Sequence, residues 1–534
     1  MKKNSFMEGA VIATLGIIVV KIIGLIYVIP FNAIIGEKGG ALYGYAYNIY
    51  MLFLSISSAG FPFAISKLTS EYNALGYKKA IKDTYSIATK LILLISSVIF
   101  VLLFIFAPQI GHLIIGDSTG GNTIEDIAFV IRMVSFAILI IPFLSVSKGF
   151  LQGHKYIKPT TDSQVIEQVV RVIIIIVGSY VALRILHTDL KIAVGIAVSG
   201  AFFGGLVAYL FLKRKIKKAN LLPENVEDEK HISKKEIIKK IIGYSVPFIM
   251  VSLIYNLYNT VDMILVSRTM SDILHISITR VESVLSVFTT WGVKLNNILL
   301  AVTTGLTTSL IPNIVASFTK GNMKDVNSKF NKALECTILI IVPATLFLSL
   351  LVQPVWMLFY GKSTYGPIVY KMFVYTALFG GLHSVVVNTL QGLSKYKLVI
   401  FSVLIGLIIN TVCDVPFMLI SDKLGFDVSY GAIVAAILGY SVSMIISLSI
   451  LHYKYHFSFK ETINRTPSFL LSIFVFILSI VVLKQIVPTN LNGRLIQIPI
   501  LLIYGIVSFG IYFGINYLNG NLKKVFNIGG KRWR

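Results

Sequence analysis

Charge is what this sequence has least of. Only 13% of its 534 residues are charged, 55% are hydrophobic, and the mean hydropathy is +0.81. A soluble domain of this length needs far more charge to cover its surface, so a globular cytosolic enzyme is excluded. Cysteine is nearly absent: Cys336 and Cys413 both fall in apolar blocks, at no metal spacing, and read as small buried side chains. No phosphate-cradling GxxxxGK[ST] loop, HExxH or GxSxG occurs, and the eight histidines are scattered, mostly in loops. Nucleotide hydrolysis has no site here, and an intramembrane hydrolase or glycosyltransferase, while conceivable, would need clustered acids or histidines at membrane depth. No metal and no cofactor is expected.

What is present is apolar sequence in long blocks, such as Gly9–Ile35, Leu91–Ala107, Val165–Leu186 and Ile496–Tyr517. About 18 or more such residues cross roughly 30 Å of hydrocarbon as a helix. The blocks show no period-two alternation, which excludes a barrel. The reading is an all-α polytopic membrane protein with about fourteen transmembrane helices. They are expected at 9–35, 41–64, 84–107, 124–149, 161–186, 191–212, 242–268, 287–317, 333–359, 366–392, 398–420, 430–452, 468–487 and 494–518. The first block is too long for a signal peptide and reads as an uncleaved span.

Basic residues set the orientation. With the N-terminus inside, cytoplasmic segments carry 33 of the 48 lysines and arginines, the opposite side 12, and Lys21, Lys90 and Arg171 fall within spans. That bias places both termini in the cytoplasm. Basic loops facing anionic lipid headgroups also account for most of the +24 net charge, with no nucleic-acid partner.

The sequence also repeats itself. Ser145-Val146 with Leu151-Gln152-Gly153 recurs as Ser384-Val385 with Leu390-Gln391-Gly392, an offset of 239. Gly76-Tyr77-Lys78-Lys79 matches Gly321-Asn322-Met323-Lys324, and Pro108 and Gly116 match Pro354 and Gly361. Two parallel six-helix repeats follow: an N-terminal lobe at 1–212, a basic cytoplasmic linker at 213–241 and a C-terminal lobe at 242–453. Helices 13–14 and a basic tail at 454–534 stand outside them. Parallel repeats are an architecture of transporters, whose lobes rock about a site near the membrane midplane.

Charged side chains at membrane depth mark such a site, because a cation there costs several kcal/mol against lipid. Lys21 lies mid-span; it lines a cavity or pairs with an acid such as Asp262. Arg171 lines a cavity or pairs with Glu167, one turn earlier on the same face. Arg268 and Lys294 are further cationic candidates. Asp262 and Asp414 are candidates for a coupling ion or an ion pair, and Asp414 beside Pro416 could instead satisfy backbone opened by the proline. The excess of cations favours an anionic substrate, phosphate above all. The tyrosines of Tyr43-Gly44-Tyr45-Ala46-Tyr47-Asn48-Ile49-Tyr50 read as an interfacial belt rather than a sugar-stacking wall. Pro30, Pro62, Pro142, Pro247, Pro312 and Pro343 permit bending.

Leu42-Tyr43-Gly44 and Ser58-Ala59-Gly60-Phe61-Pro62, leading to the basic Gly76–Ala80 turn, resemble the second-span region of the MOP exporter superfamily. The opening Lys21-Ile22-Ile23-Gly24-Leu25-Ile26-Tyr27-Val28-Ile29-Pro30-Phe31 is similar to its bacterial polysaccharide and lipid II flippase branch, the MurJ/YtgP/SpoVB type. Ile311-Pro312-Asn313 with Gly321-Asn322 agrees. The resemblance implies a V-shaped, two-lobed transporter with a cationic cavity, in which spans 13 and 14 form a groove for a polyprenyl tail. Its cargo is an undecaprenyl-diphosphate-linked oligosaccharide flipped to the outer leaflet, with lipid II, the peptidoglycan precursor, foremost and other wall, capsule or spore precursors next. Lys21 falls where the family places a first-span cation on the diphosphate, and Arg268 and Lys294 fall near its span 7–8 cations. The partners implied are the lipid-linked oligosaccharide, anionic membrane lipids, Na+ or H+ as coupling ion, and the cell-wall synthesis machinery. The alternatives are a MATE-like cation-coupled multidrug antiporter, which would have an acidic cavity, and a membrane scaffold for wall synthesis.

The orientation is directly testable. Green fluorescent protein fused after Asn220 is predicted to fluoresce, and alkaline phosphatase fused after Gly361 to be active; the opposite pattern would invert the topology.

Overall fold

In hydrocarbon a backbone must satisfy its own hydrogen bonds, and a chain this apolar does so as helix. The computed structural model describes residues 6–117, 120–222, 232–489 and 491–526, and among these every regular element is helical. Part of the expected linker (223–231) and the end of the basic tail (527–534) lie outside the described residues. Among the described residues thirteen helices are long and apolar enough to cross a membrane, and the shorter apolar stretch Leu15–Ile26 precedes them. The protein is a multi-pass α-helical membrane protein.

The shortfall of one long helix has a local cause. The first expected span divides into Phe6–Ile26 and the start of Val28–Ser58, and the latter helix is itself broken at Gly36, with φ 66° and ψ −162°. Only glycine adopts that backbone without strain. Helix Phe61–Ala74 then starts with a proline in its first turn, where the missing N–H costs nothing. Pro142, Pro247, Pro343, Pro416 and Pro467 are accommodated inside long helices.

Positions matched by the sequence repeat share unusual backbone. Gly76 and Gly321 have φ of 77° and 72°, Gly116 and Gly361 have 62° and 77°, and Lys155 and Ser394 have 65° and 60°. Each of Gly116 and Gly361 closes a nine-residue helix, Ala107–Ile115 and Val352–Tyr360 respectively.

Two compact units emerge, Met1–Trp291 and Gly292–Arg534. The repeat puts its boundary in 213–241, whereas the first compact unit also takes in helices Lys234–Arg268 and Ile278–Thr289. That last helix was not expected from the sequence, and its residues from Val281 to Thr289 are all buried.

Without a strong hydrophobic drive between helices in lipid, close packing relies on small residues. In the first unit, helix Leu190–Lys218 brings Gly200 and Gly204 against helix Ile157–Ile173. A Cβ on Gly204 would stand 2.6 Å from the Glu167 carbonyl oxygen, and one on Gly200 3.0 Å from that of Arg171. Gly16 meets Thr161 and Gly24 meets Gln168, so the first helix lies along the same span. Beyond Ile173 that span widens into two π turns, Ile174–Gly178 and Val181–Ile185. In the second unit Gly431 sits on the backbone of Phe417 and Met418, with helix Ser429–Tyr455 against Tyr396–Lys423.

Gly204→Leu is therefore expected to lower stability by about 1–3 kcal/mol through overpacking. Gly243→Ala, with nothing within 4 Å of the added atom, should be close to neutral. Thermal unfolding in detergent checks both, and equal midpoints for the two variants would contradict this packing.

Candidate functional site

The charged interior of the first unit grows from one helical spacing. Glu167 and Arg171 are four residues apart on helix Ile157–Ile173, and the Arg171 guanidinium Nη2 donates to Glu167 Oε1 at 2.9 Å. The other carboxylate oxygen, Oε2, accepts from Lys148 Nζ at 3.0 Å, across from helix Ile124–Gly153. All three side chains are largely covered, 16% exposed for Lys148 and Glu167 and 18% for Arg171. One carboxylate thus holds two cations, leaving the cluster with one positive charge in excess. Arg171 Nε is buried and makes no hydrogen bond among the described residues. Of the two readings of Arg171, pairing with Glu167 is what the structure contains, and Lys148 makes the pair a triad.

The tyrosines of the second span are not an interfacial belt. Tyr43, Tyr45 and Tyr50 are only 3%, 1% and 1% exposed, and Tyr43 and Tyr47 stack at 5.4 Å with their planes 13° apart. Nearly the whole run from Gly39 to Tyr50 is buried, because this helix lies within the unit instead of at its rim. Phe31 packs edge-on against Tyr43 and Trp291 at 5.3 and 5.8 Å, closing one side of this aromatic core.

The remaining candidates are placed as follows. Lys21 is exposed on helix Phe6–Ile26, between Gly16 and Gly24, whose contacts with Thr161 and Gln168 set its level on the neighbouring span. Asp262 is half-buried on helix Lys234–Arg268. At the end of that helix Arg268 pairs with Asp272 at 2.8 Å, and its guanidinium lies over Gly116. Lys294 and Asp414 belong to the second unit, the first half-buried and the second fully buried on helix Tyr396–Lys423. The triad brings Arg171 together with residues outside the candidate set; Lys21 lies on the helix packed along the same span, and Arg268 lies at the end of helix Lys234–Arg268.

Two further clusters escaped sequence reasoning. At one end of the first unit Lys240 bridges Glu71 at 3.2 Å and Glu236 at 3.5 Å, while Lys67 lies 3.9 Å over the Tyr244 ring. At the other end Lys38 donates to the Gly121 carbonyl at 3.2 Å, Ser283 donates to Glu37, and the Asn122 amide donates to buried Glu282. Lys148 could have been suspected as an intramembrane cation with no acid on its own helix face. The Glu37 and Glu282 contacts join residues far apart in sequence and carry no local signal. Among the described residues no group of three or more His, Cys, Asp or Glu could hold a metal ion.

Comparison with known proteins converges on one group. Residues 6–314 match the family described as polysaccharide biosynthesis protein. The chain is 30% identical over 535 residues to the lipid II flippase MurJ of Bacillus subtilis (strain 168), covering 98% of this chain and 97% of that one. It is 24% identical over 421 residues to stage V sporulation protein B of the same organism, 77% of each chain. Among solved structures, lipid II flippase MurJ in an inward closed conformation superposes with a TM-score of 0.69 at 15% identity, over 96% of this chain and 99% of that one. An inward-facing multidrug resistance MATE family transporter of the MOP superfamily gives 0.61 at 16% identity, over 82% and 96%. At such identities the structural likeness speaks for the fold alone, but the sequence match covers more than half of the chain. The chain belongs to the polysaccharide biosynthesis protein family.

Proposed function

We propose that this protein is a flippase that carries an undecaprenyl-diphosphate-linked oligosaccharide, lipid II foremost, from the inner to the outer leaflet by alternating access. The observation that carries the reading is the surplus of positive charge in the first unit, where Lys148 and Arg171 share a single carboxylate. Cations at membrane depth suit the oxygens of a diphosphate, and Arg in particular offers them paired donors. The near-full-length identity to a lipid II flippase supports the same cargo.

In this reading Lys21 and Arg171 attract the diphosphate, with Arg268 and Lys294 contributing along the path. Asp262 and Asp414 take Na+ or H+ as the coupling ion. The lobes at 1–212 and 242–453 are the moving halves, joined by the cytoplasmic linker, and both termini face the cytoplasm. Other wall, capsule or spore precursors share the lipid diphosphate and differ only in the sugar. The structural likeness to a MATE transporter keeps a multidrug antiporter as the second reading. Against it, an acidic interior suits cationic drugs, and the triad carries the opposite surplus.

Depletion in the native cell should cause an undecaprenyl-linked precursor to accumulate on the cytoplasmic leaflet. Wild-type protein should restore growth, and Lys21→Ala or Arg171→Ala should restore it at least about tenfold less well, the loss of one charge-assisted contact. Full rescue by both variants would remove these residues from the site. A loss of ethidium efflux on depletion, with no precursor accumulating, would favour the antiporter.

A further inference from the structure

The second unit contains a cavity that the flippase reading does not use. It is a half-open cavity of about 220 Å³, lined by residues of two segments, Gln353, Met357, Gly361, Lys362, Ser363 and Pro367 from one and Thr489, Leu491 and Asn492 from the other. The first segment is helix Val352–Tyr360 with the turn that follows it and the start of helix Gly366–Gly392, and the second is the connection between helices Lys460–Ile486 and Gln497–Leu518. By the distribution of basic residues, this end of the unit faces outward.

Its charge is one-sided. Lys362, Lys371, Lys484 and Arg494 lie in these segments or their helix ends, and no Asp or Glu occurs anywhere in 336–413 or 462–534. The Arg494 guanidinium lies along the Gly361 wall, where an added Cβ would stand 2.9 Å from Nη2 and 3.2 Å from Nε. Lys484 Nζ donates to the Leu350 carbonyl at 2.7 Å, and Lys371 is close enough for the two charges to repel. Among the described residues none of these four cations has a carboxylate partner. The contrast with the first unit is direct, since Lys148, Arg171, Lys240 and Arg268 are all paired there. Outward-facing loops of membrane proteins tend to be poor in Lys and Arg, so such a cluster runs against the general bias.

The walls are held in place. Gln497 is fully buried and its side-chain amide donates to the carbonyls of Leu491 at 2.6 Å and Gly493 at 3.1 Å, while Tyr504 Oη donates to the Val487 carbonyl at 2.7 Å. On the other wall Ser363 Oγ accepts from the Gly366 amide at 2.9 Å, and Gly366 rests on the Trp356 indole, which packs on Tyr360 and Tyr370 at 4.6 and 5.7 Å. The polar side chains that line the cavity are Gln353, Lys362, Ser363, Thr489 and Asn492. A built cavity with amide and hydroxyl donors, a lysine, an arginine on its wall and no acid is chemistry for an anion with several acceptor oxygens.

We propose that this cavity binds a phosphate group, free or on the headgroup of an anionic lipid, with Lys362 and Arg494 as its principal contacts. The site is independent of the cargo reading, since it requires neither Lys21 nor Arg171. Arg494 sits at the start of the fourteenth span, so a bound headgroup would pin that span to the turn after Tyr360.

Calorimetry on the full-length protein in a non-ionic detergent tests it, with inorganic phosphate and a short-chain phosphatidylglycerol as separate probes. Binding of either probe should weaken about tenfold or more in Lys362→Gln/Arg494→Gln, the loss expected for charge-assisted contacts, and should persist in Lys362→Arg/Arg494→Lys. Binding of phosphate alone identifies a free anion, and binding of the lipid alone identifies a headgroup. Lys397→Gln/Lys423→Gln removes two exposed charges of the same unit elsewhere and should leave the affinity unchanged. Lys362→Gln alone alters an exposed residue, so the test stands even if the double variant fails to fold. No binding of either probe, or equal weakening in the Lys397/Lys423 variant, would overturn the proposal.

Discussion

A charge inside a bilayer has to be paired or wetted, and much of this protein's interior follows from how it meets that demand. In the first unit the answer is a single carboxylate. Glu167 lies at hydrogen-bond distance from both Lys148 and Arg171, and the glycines at 200 and 204 let the neighbouring helix close over the same turn. Removing the acid from such a cluster would strand two cations, and breaking a buried pair of this kind typically costs about 3–5 kcal/mol. Under the proposed flippase reading, the charge left over on this triad is what attracts the anionic cargo.

How far the sequence revealed this depended on the range of each interaction. Spans were legible because bilayer thickness imposes a length on every apolar block. The Glu167–Arg171 pair was legible as one of two options because the residues share a helix face. Lys148 was not, since its partner lies on another helix and no spacing connects them. The tyrosines from Tyr43 to Tyr50 were misread as a belt because aromatic residues near a span end often are one. Only the packing around this helix shows them buried. The break at Gly36 and the buried helix Ile278–Thr289 were missed for a related reason, being short pieces whose form is set by their surroundings.

Acid distribution divides the two units. The first unit spends its carboxylates on pairing cations at both ends and in the middle, through Glu71, Glu167 and Asp272. The second unit has few to spend. Its buried Glu335 is matched to Arg465 beside Thr462 and Asn331, where the thirteenth span meets helix Met323–Leu350. Lys329 pairs with Asp325 at 2.6 Å, and no Asp or Glu occurs in 336–413 or 462–534. The proposed phosphate-bearing ligands would gain most where cations outnumber acids.

The central claim is that cations at membrane depth face water rather than lipid, and Lys21 tests it most directly. With Cys336 and Cys413 replaced by alanine, Lys21→Cys in native membranes should react with a charged, membrane-impermeant methanethiosulfonate reagent. Reaction only with a lipid-soluble maleimide, and none with the charged reagent, would place this position against hydrocarbon and contradict the account.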